Sequence, residues 1–159
     1  MEHDALVSKR EVGGLEGLYR AQGPRLWRAL VAYSGDPEIA SDAVAEAFAQ
    51  ALRRGDELRQ PERWIWKVAF RVAAGALKDR PRELAPNQGS YEMPDEALLM
   101  TSLLRRLPTK QRAAIVLHYY ADMPNPQIAQ ILGISVATVR VHLSQGRRRL
   151  KRSLEDSDD

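Results

Sequence analysis

A chain of 159 residues, 44% apolar and 28% charged, has the composition of one ordinary globular domain or two small ones, which excludes disorder throughout. It contains no cysteine, so disulfides, thiolate metal sites and cysteine nucleophiles are excluded, and no run of about 18 apolar residues offers a membrane span. The net charge of +3 is too small to argue for nucleic acid, but its placement says more.

The first fourteen residues, MEHDALVSKREVGG, carry acids and lack the apolar stretch of a secretory leader. They read as an N-terminal tail, and a cytoplasmic location is expected. Apolar residues beyond them recur every three or four positions, with little period-two alternation. The expected fold is therefore all-α, two small helical bundles joined by a Pro-rich linker.

Leu15 to Ser34 forms the first helix, with Gly23-Pro24 expected to bend or restart it. Asp36-Pro37 is an N-cap followed by proline at the first helical position. The helix it opens carries Ile39, Ala40, Ala43, Val44, Ala47, Phe48, Ala51 and Leu52 on one stripe, and Gly55 ends it. On the same helix Glu38, Asp42 and Glu46 follow one another at i, i+4, a mildly self-repelling row that a basic partner helix would relieve.

Pro61 opens a third helix reaching Lys78. Trp64, Val68 and Val72 form one stripe and Trp66, Phe70 and Leu77 another, with Arg63, Lys67 and Arg71 between them. That apolar surface is wider than a two-layer bundle needs. Cations beside aromatics suit single-stranded DNA, whose bases stack while its phosphates pair. These helices make up a first domain over residues 15–80.

Residues 81–94 hold three prolines and no helical period, and read as the linker. The second domain covers 95–154. Asp95 to Arg106 is helical, Leu107-Pro108 breaks it, and Thr109 to Ala121 resumes. Asn125-Pro126 then starts a short helix that ends at Gly133, with Asn125 as its cap.

Ala129 allows a close crossing and Gly133 suits a left-handed turn. Ser135 caps the last helix, which buries Val139, Leu143, Gly146 and Leu150 on one side. Ala137, Val141, Ser144 and Arg148 point the other way, flanked by Arg140 and Arg147. That is a helix-turn-helix whose second helix can enter a major groove. Six basic residues and no acid lie between Val136 and Arg152, after which the tail 155–159, EDSDD, carries four acids and is expected to fray.

The segment from Leu104 to Leu150 resembles region four of the extracytoplasmic-function (ECF) sigma factors of bacterial RNA polymerase. The matching residues are Leu107-Pro108, Arg112, Tyr119-Tyr120, Ile128-Ala129, Leu132-Gly133, Ser135 and Thr138-Val139. Gln127, Ala137, Val141 and His142 depart from the family's usual residues, so its DNA preference does not carry over. Asp42, Val44, Glu46 and Phe48 resemble region two of the same family, with Ala45 replacing a glutamine. Trp64, Ile65, Val68 and Ala69 match its next helix, where Arg71 and Gly75 depart.

The resemblance implies that the acidic face with Glu38, Asp42 and Glu46 binds core RNA polymerase. It implies that the surface with Arg63, Lys67 and Arg71 holds the unpaired minus-ten strand of promoter DNA. It also implies that Ser135, Ala137, Thr138, Arg140, Val141, Ser144, Arg147 and Arg148 face the minus-thirty-five element, and it leaves room for an anti-sigma factor as a third partner.

Catalytic chemistry is not legible. His3, His118 and His142 are scattered without metal-ligand spacing, and no phosphate-binding glycine loop or serine elbow occurs. No enzyme, cofactor or metal is expected. Two other readings fit the residues: a dimeric helix-turn-helix regulator that binds a palindrome without polymerase, and a sigma-like interaction protein that reads no DNA.

Overall fold

The computed structural model describes residues 2–79 and 95–157, with side chains from 14 to 79 and from 99 to 156; the linker expected at 81–94 lies outside the described residues. Among these, helices and turns occur and strands do not. The first group is α1 (Glu2–Ser34), α2 (Pro37–Arg54) and α3 (Pro61–Lys78), with a single 3-10 turn at Gly55–Glu57 after α2. The second is α4 (Asp95–Arg105), α5 (Thr109–Ile115), a π turn at Val116–Tyr120, α6 (Asn125–Leu132) and α7 (Val136–Ser157).

Local chemistry sets the boundaries of α2. Asp36 is extended at φ −140°, and its Oδ1 accepts the Glu38 N–H at 2.8 Å. Pro37 occupies the first position, where its missing N–H costs nothing. Gly55 then leaves the helix at φ +55°. Ala40, Ala43, Ala47 and Ala51 are fully buried, and a row of such small residues lets α1 and α3 approach closely on either side of α2. Leu26, Leu30, Ile65 and Trp66 fill the centre of this group.

Two expectations about α1 need correction. Residues 2–14, read as a tail, belong to the helix, and Gly23-Pro24 neither restarts nor ends it. Pro24 removes one backbone bond, to Arg20. Packing on both sides carries the helix through: Tyr19 meets Phe48 edge-on with ring centroids 5.1 Å apart, and Leu26 is fully buried two turns later.

In the second group, Leu107-Pro108 separates α4 from α5, and the break between α6 and α7 falls where turn chemistry demands it. Gly133 adopts φ +68°, ψ 36°, and its N–H returns to the Ala129 carbonyl. Asn125 does not cap α6. The Gln127 and Ile128 N–H groups both bond to the Pro124 carbonyl, at 3.0 and 3.1 Å, and the buried side-chain oxygen of Asn125 has no hydrogen-bond partner among the described residues. The acidic end stays helical as far as Ser157 rather than fraying at Glu155.

Gly146 is where α7 crosses α5. A Cβ there would stand 2.9 Å from Cγ1 and 3.2 Å from Cδ1 of Ile115, whose side chain is buried and cannot retreat into solvent. Overpacking of this kind costs about 1–3 kcal/mol. Gly146→Val is therefore expected to lower the unfolding free energy by about 2–3 kcal/mol. Gly75→Ala, at an exposed helical position with open space around it, should raise it by about 0.5–1 kcal/mol. Thermal melts of the two variants check both signs.

The two helical groups do not stand apart. Their buried residues form one continuous cluster, with α3 against α6 and α1 against α4, α5 and the π turn. Polar bonds stitch the same boundary. Arg25 donates to the Ala121 carbonyl while stacking over Trp66 at 5.7 Å, and Arg105 and Arg112 reach the end of α1.

Candidate nucleic-acid interface and acidic ridge

The candidate recognition helix is α7. Ser135 caps it, its Oγ accepting the Thr138 N–H at 3.1 Å, and the two hydroxyls lie 2.8 Å apart. Val139, Leu143 and Gly146 are buried. Ala137, Arg140, Val141, Arg147 and Arg148 are exposed, Val141 to 50%, while Ser144 and Thr138 are half-buried. Ala137, Arg140, Val141, Ser144, Arg147 and Arg148 were expected on the outer face, and Thr138 as a DNA contact. Two are held by neighbours: Arg147 Nη1 donates to the Tyr119 hydroxyl at 3.0 Å, and Arg148 Nη2 lies 3.4 Å from Ser144 Oγ. Arg140 projects from the same surface without a described hydrogen-bond or ion-pair partner.

The arrangement supplies cations at the helix flanks, for phosphates, and small or apolar groups between them, for base edges and thymine methyls. The role of Tyr119 was not legible from the sequence, where it counted only as a motif aromatic. An exposed tyrosine next to a basic helix is the signal that could have revealed it.

The acidic row lies on the outer face of α2. Glu38 and Asp42 are exposed, and the half-buried Glu46 accepts from Gln50 at 2.8 Å and from Arg53 at 3.4 Å. The Arg53 contact is solvent-exposed on both sides, and such pairs contribute little. The ridge therefore keeps its negative charge available.

On α3, Arg63 and Arg71 are exposed and Lys67 is half-buried. Of the two apolar stripes, Trp66 and Phe70 belong to the core, their rings stacked 6.2 Å apart. Trp64 is half-buried at the rim, where Arg54 lies over its ring at 5.4 Å. Arg63 Nη1 is 3.3 Å from both Gln60 Oε1 and Gln130 Oε1, the latter on α6.

Among the described residues no group of three His, Asp or Glu side chains could hold a metal ion, and no helix is long and apolar enough to cross a membrane.

Residues 97–150 match the family described as Sigma-70, region 4. The ECF RNA polymerase sigma factor SigL of Mycobacterium tuberculosis is 27% identical over 164 aligned positions, covering 92% of each chain. In fold, the chain resembles CnrH, solved in complex with the cytosolic domain of CnrY, at a TM-score of 0.75 and 22% identity over 98% of this chain and 96% of the other. It also resembles RpoE, solved with the anti-sigma factor NepR from Bartonella quintana, at 0.72 and 20% identity over 88% and 96%.

The region-four match falls on the helix-turn-helix, the SigL alignment runs through both helical groups, and the all-helical architecture is shared. Together they make the chain similar, over nearly its whole length, to the ECF sigma factors of bacterial RNA polymerase.

Proposed function

We propose that this chain directs transcription initiation as a promoter-recognition subunit of bacterial RNA polymerase, working in the cytoplasm and catalysing no reaction itself. In this reading α2 docks on core enzyme through Glu38, Asp42 and Glu46. Arg63, Lys67 and Arg71 on α3 hold the melted minus-ten strand. Ser135 to Arg148 lie in the major groove of the minus-thirty-five element, with Arg140, Arg147 and Arg148 on phosphates or guanine edges and Ala137, Thr138, Val141 and Ser144 between them. An anti-sigma factor is a further partner, as NepR is for the solved RpoE.

One observation carries the reading: a single chain exposes an acidic ridge on one helix and an acid-free, arginine-rich helix-turn-helix face on another. The acidic ridge would be repelled by DNA, and so suits a basic protein surface. The arginine face suits a polyanion. A lone dimeric regulator would have no use for the ridge, and a pure interaction protein none for the arginines.

Run-off transcription with purified bacterial core polymerase and a promoter library tests it. Transcripts that depend on the added chain and start at a common two-element sequence are expected. Folded protein that yields none from any template, or that binds a palindromic duplex tightly without polymerase, would overturn the proposal.

A further inference from the structure

Tyr119 lies outside the helix-turn-helix, and the preceding reading gives it no task. Its place is set by the π turn at Val116–Tyr120. Val116 and Leu117 are buried and anchor that turn from inside, while Tyr119 emerges 54% exposed. The wider turn interrupts the regular helix, an irregularity that recurs at functional positions.

The ring is held, and the hydroxyl has hydrogen-bonding capacity to spare. One side of the ring borders the apolar groove lined by Val31, Leu104 and Val116. His118 packs against it edge-on, with ring centroids 4.6 Å apart at 77°. The phenol oxygen accepts from Arg147 Nη1 at 3.0 Å. A hydroxyl has one proton to give as well as lone pairs to accept with, and among the described residues nothing accepts the Tyr119 proton. Accepting from a cation polarises the O–H bond and makes it a better donor. Arg147 keeps its remaining N–H groups, since this is its one hydrogen bond among the described residues.

Two donors from separate elements, one neutral and one cationic, thus stand side by side. Arg140 and Arg148 lie exposed on the same helix as Arg147, so a polyanion drawn to α7 meets this pair as well. Phosphate oxygens suit it, because tyrosine hydroxyls and arginines are both ordinary donors to the nucleic-acid backbone.

We infer that Tyr119 is a DNA contact in its own right, its phenol proton and the Arg147 guanidinium together gripping one backbone phosphate of the bound duplex. This rests on the preceding reading, which puts α7 on duplex DNA. The grip carries the DNA surface past the helix-turn-helix onto the π turn. It fixes the register of the chain on the duplex and not the sequence read, because phosphate contacts carry no base information.

Salt separates the two members of the pair. The full chain, bound to core polymerase, is titrated at several salt concentrations against a duplex carrying the upstream element of a promoter it transcribes. Tyr119→Phe keeps the ring and removes the donor. It should weaken binding about three- to tenfold with the salt slope unchanged, because a neutral donor releases no counterion. Arg147→Ala should flatten the slope by about 1. The π turn and His118 hold the ring without Arg147, so adding Tyr119→Phe to Arg147→Ala should cost about a further threefold. No further loss in the double variant would make the phenol a mere prop for the arginine and overturn the inference. Wild-type affinity in Tyr119→Phe alone would do the same.

A methylphosphonate scan, which neutralises one phosphate at a time, locates the grip. At one position the substitution should weaken binding by wild type and weaken it less in the double variant; equal penalties at every position would contradict a shared phosphate. Specific duplex binding by the wild-type complex belongs to the preceding reading, and its absence would sink both, whereas the Tyr119→Phe outcomes bear on the phosphate grip alone.

Discussion

Asp42→Lys combined with Glu46→Lys is expected to abolish transcription from every promoter while leaving the protein folded and its duplex affinity intact. Both carboxylates lie on the outer face of α2, and among the described residues only Gln50 and Arg53 contact them, both through Glu46. The fold therefore loses almost nothing. The wild-type row Glu38, Asp42, Glu46 repels itself at i, i+4 by about 0.2–0.5 kcal/mol per pair. A lysine at 42 turns the first pair attractive, so thermal stability should hold or rise slightly.

Against a basic polymerase surface the same change puts like charges face to face, at a cost of several kcal/mol, about a thousandfold or more in affinity. Anisotropy titration with core enzyme reads this directly. Core binding within threefold of wild type would remove the ridge from the interface.

The second large effect is expected from Arg140→Ala with Arg148→Ala. Both side chains are exposed on α7 and away from its buried face. The only described bond lost is the 3.4 Å contact of Arg148 with Ser144. Stability and core binding should stay as they are. If each arginine neutralises one phosphate, the slope of log affinity against log salt should flatten by about 2. Affinity for minus-thirty-five duplex should fall about a hundredfold at low salt.

A uniform loss across sequences marks phosphate contacts, whereas a loss confined to one base position marks direct readout. Unchanged affinity would contradict the assignment of this face to DNA.

Much of this was legible in the sequence because it is written in local chemistry. Asp36-Pro37, Gly133 and Ser135 are residues whose backbone demands hold whatever surrounds them, and each does what its type predicts. The outer face of α7 follows from period alone, since burying Val139 and Leu143 leaves Ala137, Arg140 and Val141 outside.

The failures came where tertiary packing overrides local preference. Pro24 looks like a break but sits in a helix held on both sides. Asn125 has the right chemistry for a cap, yet the Pro124 carbonyl takes the first bonds. The two expected bundles are both present, and only the continuous seam between them was missed: it depends on Arg25, Arg105 and Arg112 meeting carbonyls up to 96 positions away in the chain. No periodicity encodes such a pairing. The one available hint was a buried-type run, QRAAIVL, with an arginine inside it.

The central claim, that one helix grips protein and another grips DNA in the same complex, is tested most directly by site-specific photocrosslinking. A benzophenone amino acid at Asp42 and, in a separate variant, at Val141 is irradiated in promoter complexes formed with core polymerase. Position 42 should crosslink to a polymerase subunit and not to DNA, and position 141 to the minus-thirty-five duplex. Crosslinks from 42 to DNA, or from 141 to polymerase alone, would contradict that division of labour.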